Sequence, residues 1–193
     1  MPVDRYYIEA FLGAHSADIR GRVLEIGDAA YSRRFGGNRI ERQDVLHLRS
    51  GEPNATIWGD LSQPNTLPPS TFDCIIFTQT LQMIFDMPAA IAALRHALRA
   101  NGTLLVTAPG ISPVDRDEWK DTWYWSLTEQ ALAKLLDGPF DIHRTSTRTY
   151  GNLFAATAFL HGASVEDTGK SRLEPLDPAY PVLVTARAKV PKP

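Results

Sequence analysis

Gly21-Arg22-Val23-Leu24-Glu25-Ile26-Gly27-Asp28-Ala29 decides the fold of this chain. Gly21 opens a short run of β-forming residues, and Gly27 closes it in a turn made of small residues, Gly27 and Ala29, with Asp28 between them. Ala30 to Phe35 then predicts a brief helix stopped by Gly36-Gly37, and Arg39 to Val45 a second strand with Asp44 at its carboxyl end. Ala55-Thr56-Ile57-Trp58 reads as a third strand, followed by Gly59-Asp60-Leu61 and a loop rich in proline. Phe72 to Phe77 is apolar except for Asp73, the pattern of a central parallel strand buried on both faces.

This alternation predicts an α/β fold of three layers, with a mostly parallel sheet joined by right-handed crossovers. Further along, Pro88 suits the first turn of a helix whose stripe is Ile91, Leu94 and Leu98, ended by Asn101-Gly102. Thr103 to Thr107 is the expected fifth strand. Ser126 with Glu129 forms a candidate capping box for a helix ending at Gly138-Pro139. Phe140 to Thr147 is read as a sixth strand, Asn152 to Leu160 as a helix, Ser164 to Pro178 as a polar loop and Val182 to Val190 as the last strand. Asp4 is the expected cap of an amphipathic helix over residues 4–18, and the closing Pro191-Lys192-Pro193 is read as a frayed end. We expect one domain over 1–193, with an insertion over about 110–126 on the ligand side.

The 193 residues carry a formal net charge of -2 and 44 % hydrophobic residues. Such a chain can bury one core, and it has no electrostatic reason to hold a polyanion, so nucleic acid is not an expected partner. A single cysteine, Cys74, lies in an apolar run; it forms no intrachain disulfide and suits a cytoplasmic location. No apolar run approaches the ~18 residues of a membrane span, and no membrane partner is expected.

Ligands of open α/β sheets sit beyond the carboxyl ends of the strands. A dinucleotide site would need G-x-G-x-x-G, but only Gly27 fits, because Ala29 and Ser32 occupy the later glycine positions; no phosphate-binding G-x-x-x-x-G-K-[ST] occurs either. A nicotinamide oxidoreductase is therefore disfavoured. The turn suits a nucleoside without a diphosphate. Asp44, roughly 20 residues past the turn, is placed to accept hydrogen bonds from two ribose hydroxyls. Asp60 could accept from an adenine amine, and Leu61 could touch the ring. Each acid also has a plainer reading as a cap, turn residue or surface partner.

From Gly21 to Gly110 the chain resembles the class I S-adenosylmethionine (SAM)-dependent methyltransferases. Val23-Leu24-Glu25-Ile26-Gly27, Asp44, Gly59-Asp60-Leu61, Phe72 to Phe77 and Asn101-Gly102-Thr103-Leu104-Leu105-Val106 carry the likeness. The resemblance implies SAM as cofactor, a sheet of order 3-2-1-4-5-7-6 and an antiparallel last strand. It places Glu25 and Gly27, with the turn residues Asp28 and Ala29, at the methionine end, Asp44 at the ribose and Asp60 with Leu61 at the adenine. Thr78, Gln79 and Thr80 would close the pocket. The family commonly writes E-x-G-x-G, and Ala29 replaces the second glycine, where a methyl group would crowd the cofactor or demand another backbone angle.

The activity so implied is methyl transfer to a small-molecule acceptor, with oxygen favoured over nitrogen or carbon and a sugar or natural-product intermediate as the acceptor. No N-P-P-Y tetrad points to amide or base methylation. Methyl transfer can proceed by positioning alone, so no catalytic residue is assigned. His47, His161 and Gln82 are candidates near the acceptor, and Gln82 can orient but not deprotonate. Trp119, Trp123, Tyr124 and Trp125 crowd the insertion, where they could contact substrate or simply pack. Asp115, Asp117 and Asp121 form no convincing ligand set, and no metal is expected. The competing reading is an inactive SAM-binding or scaffold module beside carbohydrate-processing enzymes.

Overall fold

A computed structural model describes residues 1–191, so the expected frayed end lies outside the described residues from Lys192 on. The strands are β1 (Gly21–Ile26), β2 (Ile40–His47), β3 (Ile57–Trp58), β4 (Phe72–Thr78), β5 (Leu98–Pro109), β6 (Ser146–Tyr150) and β7 (Leu183–Lys189). They form one seven-stranded sheet of order β3-β2-β1-β4-β5-β7-β6. β4 is central, as its composition requires: Phe72, Cys74, Ile75, Ile76 and Phe77 are fully buried. β1 to β5 pair in parallel, and β7 runs antiparallel to both β5 and β6.

Alternation along the strands divides the core between two faces. Leu24, Ile75, Leu104 and Val106 pack beneath α3 (Met87–Ala97) and α4 (Glu129–Leu136), which contribute Ile91, Leu94, Leu132 and Leu136. On the other face Val23, Cys74, Ile76 and Leu105 meet α1 (Val3–Ala14) and α5 (Leu153–Leu160), through Tyr7, Ile8, Phe11, Leu12, Ala155 and Ala156. Each large apolar side chain buried this way contributes about 1.5–3 kcal/mol. α2 (Ala30–Gly36) follows the glycine turn, and burial pushes the Cys74 thiol up, out of reach of ionisation at neutral pH.

Several element boundaries differ from the sequence reading, each for a local reason. α1 begins at Val3 and Asp4 makes no cap bond; the helix breaks at His15 and resumes as a 3-10 turn over Ser16–Asp18. α3 stops at Ala97, because Leu98 already pairs with Phe72 as the start of β5. Thr128, not Ser126, caps α4 by accepting from the Ala131 amide, while the Glu129 carboxylate accepts from the Thr147 hydroxyl. The sixth strand starts only at Ser146, since Asp141 opens a 3-10 turn over Ile142–Arg144. The expected polar loop from Ser164 holds α6 (Val165–Thr168) and α7 (Lys170–Leu173), α6 being closed by a capping box between Ser164 and Asp167.

Candidate functional site

β1 ends in the turn at Gly27, whose φ of +84° suits glycine and whose amide donates to the Leu46 carbonyl at 2.9 Å. Glu25 is 1 % exposed and accepts the amides of Tyr31 (3.0 Å) and Ser32 (2.7 Å). It seats the start of α2 against β1. Burial outweighs those amides and pushes its carboxyl above the usual range. Asp28 accepts from the Ala30 amide at 2.7 Å. Ala29 has φ −122°, so its position demands no glycine and the expected backbone conflict does not arise.

Beyond the strand ends lies a cavity of about 590 Å³. Of the residues expected to hold cofactor, Gly27, Asp60, Leu61, Thr78, Gln79 and Thr80 line it; Glu25, Asp28, Ala29 and Asp44 do not. Asp60 also accepts from the Ser62 amide at 2.8 Å, so its turn role and its place on the wall coexist. His47, Trp119 and Tyr124, expected near an acceptor, line this same cavity.

Asp44 is a correction. It sits in mid-strand, opposite Leu24 and three residues before the end of β2, not at the end. There it is 2 % exposed, held by Arg22 Nε at 2.7 Å and the Thr56 hydroxyl at 3.1 Å, with Arg42 Nε at 3.5 Å. The carboxylate is spent inside the sheet. β2 reaches the cavity with Leu46 and His47, of which His47 is the polar one. Its Nδ1 accepts from the Arg49 amide at 3.2 Å, which makes Nε2 the protonated, donating nitrogen of the neutral ring.

A second cavity, about 550 Å³, adjoins the first, with Gln79 and Trp119 lining both. Trp123 lines the second, as do Asp115 and Asp117 from the loop after β5, Asp4 from α1 and Phe159 from α5. Gln79 is held at φ +47°, uncommon for a side-chain-bearing residue. Its amide donates to the Thr107 carbonyl (3.0 Å), and its carbonyl accepts from Gln82 Nε2 (3.0 Å). Gln82 is 1 % exposed and lines neither cavity; its backbone carbonyl also accepts the amides of Tyr124 and Trp125, binding the insertion to the β4 end. Trp125 packs on Phe85 and donates to the Ile84 carbonyl, again outside both linings. His161 is exposed at the end of α5 and lines neither.

Sequence reasoning missed Met83 to Asp86 on the first cavity and Asp4 with Phe159 on the second, whereas Ser112 to Asp117 fall in the insertion expected on the ligand side. The acidic loop was visible, but its wall position depends on the chain path leading into β7, where Ile111 donates to the Pro181 carbonyl at 2.6 Å. Gln79's strained conformation had no sequence signal.

The residues present suit a thioether nucleoside. The cavity volume lies in the usual range for such ligands, the Gly27 turn leaves open space where a side chain would stand, and Leu61 and Ile84 give apolar walls beside Asp60 and His47. No protein-family model and no curated protein matches the chain. Among solved structures it is similar to a SAM-dependent methyltransferase from Archaeoglobus fulgidus, with TM-score 0.64 and 12 % identity over 96 % of this chain and 94 % of that one. It is likewise similar to a SAM-dependent methyltransferase from Thermotoga maritima (TM-score 0.58, 16 % identity, 97 % and 91 % covered) and to the [4+2]-cyclase SpnF (0.60, 13 %, 97 % and 81 %). The chain therefore has the Rossmann-like fold of the class I SAM-dependent methyltransferases, with its seven-stranded sheet and antiparallel seventh strand. That fold also carries the cyclase, so it does not by itself assign a reaction.

Proposed function

We propose that this protein is a SAM-dependent methyltransferase acting on a small-molecule acceptor, with a hydroxyl oxygen as the favoured site of transfer. The observation that carries the reading is the junction of two cavities at Gln79 and Trp119, one of them built on the Gly27 turn at the strand ends. SAM, when bound, supplies a methyl group activated on a positively charged sulfur. Gly27, His47, Asp60 and Leu61 would hold its nucleoside and Thr78 to Thr80 its flank. His47 Nε2 is suited to donate to a ribose oxygen, a part the sequence reading had given to Asp44.

The protein's own contribution is placement and exclusion of water. Gln79 lines both cavities and can orient an acceptor. Trp119 and Trp123 flank the acceptor space with aromatic faces. Neither nucleic acid nor a membrane surface is needed as partner, and no helix among the described residues is long and apolar enough to cross a membrane.

One observation favours the second reading, an inactive SAM-binding module: Arg22 withdraws the carboxylate that the resemblance assigned to ribose. Calorimetry with S-adenosylhomocysteine, followed by radiolabelled SAM with a panel of hydroxyl acceptors, separates the two. Binding with transfer supports the enzyme; binding with no transfer to any acceptor supports the module; no binding removes both.

A further inference from the structure

The chamber beside the nucleoside cavity has a definite charge. Three carboxylates line it, Asp4, Asp115 and Asp117, against the single guanidinium of Arg116. They come from separate parts of the chain: Asp4 stands in the first turn of α1, and the other two on the loop after β5. One oxygen of Asp115 accepts the Trp119 amide at 2.6 Å, which fixes that carboxylate to the wall. The remaining wall is largely aromatic and apolar, with Trp119, Trp123 and Phe159 beside prolines and valines.

An aromatic wall attracts planar rings and cations, and a cluster of carboxylates around an open cleft raises the local concentration of cations while disfavouring anions. A neutral sugar can stack on such rings and donate its hydroxyls to the carboxylates, but it gains nothing from the net negative charge, which a cation does. Taking the first cavity as the cofactor site, as proposed above, we infer that the second selects a small aromatic amine, cationic at neutral pH, whose ammonium faces Asp4, Asp115 and Asp117 and whose ring lies against Trp119, Trp123 and Phe159. A ring hydroxyl on such a molecule would be the atom presented toward Gln79 and the cofactor side.

Two probes of equal size and opposite charge test this. Tyramine and 4-hydroxyphenylacetate share a phenol ring and differ in carrying an ammonium or a carboxylate. Each is titrated by calorimetry into the protein saturated with S-adenosylhomocysteine, at low ionic strength. Tyramine is expected to bind at least about tenfold more tightly, a difference of about 1.4 kcal/mol. The double variant Asp4→Asn with Asp117→Asn should bring the two within about twofold, and retained S-adenosylhomocysteine affinity reports that it is folded. Equal binding, tighter binding of the acid, or no binding of either probe overturns the inference. If S-adenosylhomocysteine itself fails to bind, the same pair is titrated into the protein alone: a surviving preference for tyramine then sinks the cofactor reading and leaves the amine chamber standing.

Discussion

Arg22 and Asp44 are diagonal neighbours on adjacent parallel strands: Asp44 lies opposite Leu24, two residues beyond Arg22 on the same face, and the guanidinium Nε reaches its carboxylate at 2.7 Å. Arg22 in turn sits over the Phe72 ring at 5.3 Å, so the pair is anchored to β4 as well. Asp44→Ala should leave S-adenosylhomocysteine affinity within about twofold. It should also lower stability in urea by about 1–3 kcal/mol, since it strips a partner from a half-buried guanidinium. His47→Ala should do the reverse, weakening the nucleoside about 5- to 20-fold at the cost of one hydrogen bond and leaving the urea midpoint nearly unchanged. Equal loss of affinity in both variants would return Asp44 to the site.

Gln79 pays for its place between the two cavities with a left-handed backbone, a strain of order 1 kcal/mol for a residue bearing a Cβ. Gln79→Gly should therefore raise stability by about 0.5–1 kcal/mol while lowering methyl transfer at least tenfold, whereas Gln79→Asn, tolerated at positive φ, should keep part of the activity. Thermal unfolding and labelled transfer read the two effects separately. A glycine variant that is both less stable and fully active would contradict the assignment.

The glycine turn predicts an asymmetry between two small residues. Gly27→Ala places a side chain at φ +84° and should destabilise by about 1–2 kcal/mol, although the added methyl meets open space. Ala29→Gly should not improve S-adenosylhomocysteine affinity beyond about twofold, because Ala29 already has an ordinary negative φ. Calorimetry on the two variants checks both.

Acid should weaken the attachment of the α1 end to β7. Burial alone would raise the Asp18 carboxyl, but hydrogen bonds from Arg187 (2.7 Å) and Lys189 (3.0 Å) outweigh it and hold it below 3.8. The unfolded chain then binds more protons than the folded one, so this stabilisation is complete above pH 3.8 and is lost as pH falls through the lower folded value. His15, lowered from 6.5 by burial and by Arg187 against the pull of Asp18, adds a slope of the same sign below pH 6.5. In urea unfolding these two groups make stability rise from acid toward about pH 7, while Glu25, raised by burial, contributes a slope of opposite sign above 4.5. Asp18→Asn should flatten the part below pH 4 and cost about 1–2 kcal/mol at neutral pH, and His15→Gln should flatten the part just below 6.5.

Much of the architecture was legible because it depends on local pattern. The Phe72 to Phe77 run, apolar except for Asp73, marks the middle of the sheet, Gly27 marks the end of β1, and the helix read from Asn152 to Leu160 is α5, with Asn152 as its cap through the Ala155 amide. Misread boundaries fall where one residue competes with its neighbour for the same job: Thr128 over Ser126 as a cap, and Asp141 diverting the chain into a 3-10 turn before β6. At the site, Asp60, Leu61 and Thr78 to Thr80 lie on the cavity wall because each immediately follows a strand or ends it, and such positions face the ligand edge whatever the details.

What the amino-acid order alone determined is the succession of the strands and of helices α1 to α5, since periodicity, turn residues and propensity act over a few residues and do not need the rest of the chain. Which acid reaches the cavity was decided only in three dimensions. Strand register set Asp44 diagonal to Arg22 and left His47 at the edge, and the return of β7 beside β5 brought Asp4, Asp115 and Phe159, which lie far apart along the chain, to one cleft. Charges and cavities are properties of what stands next to what, and that adjacency comes from packing of the whole sheet.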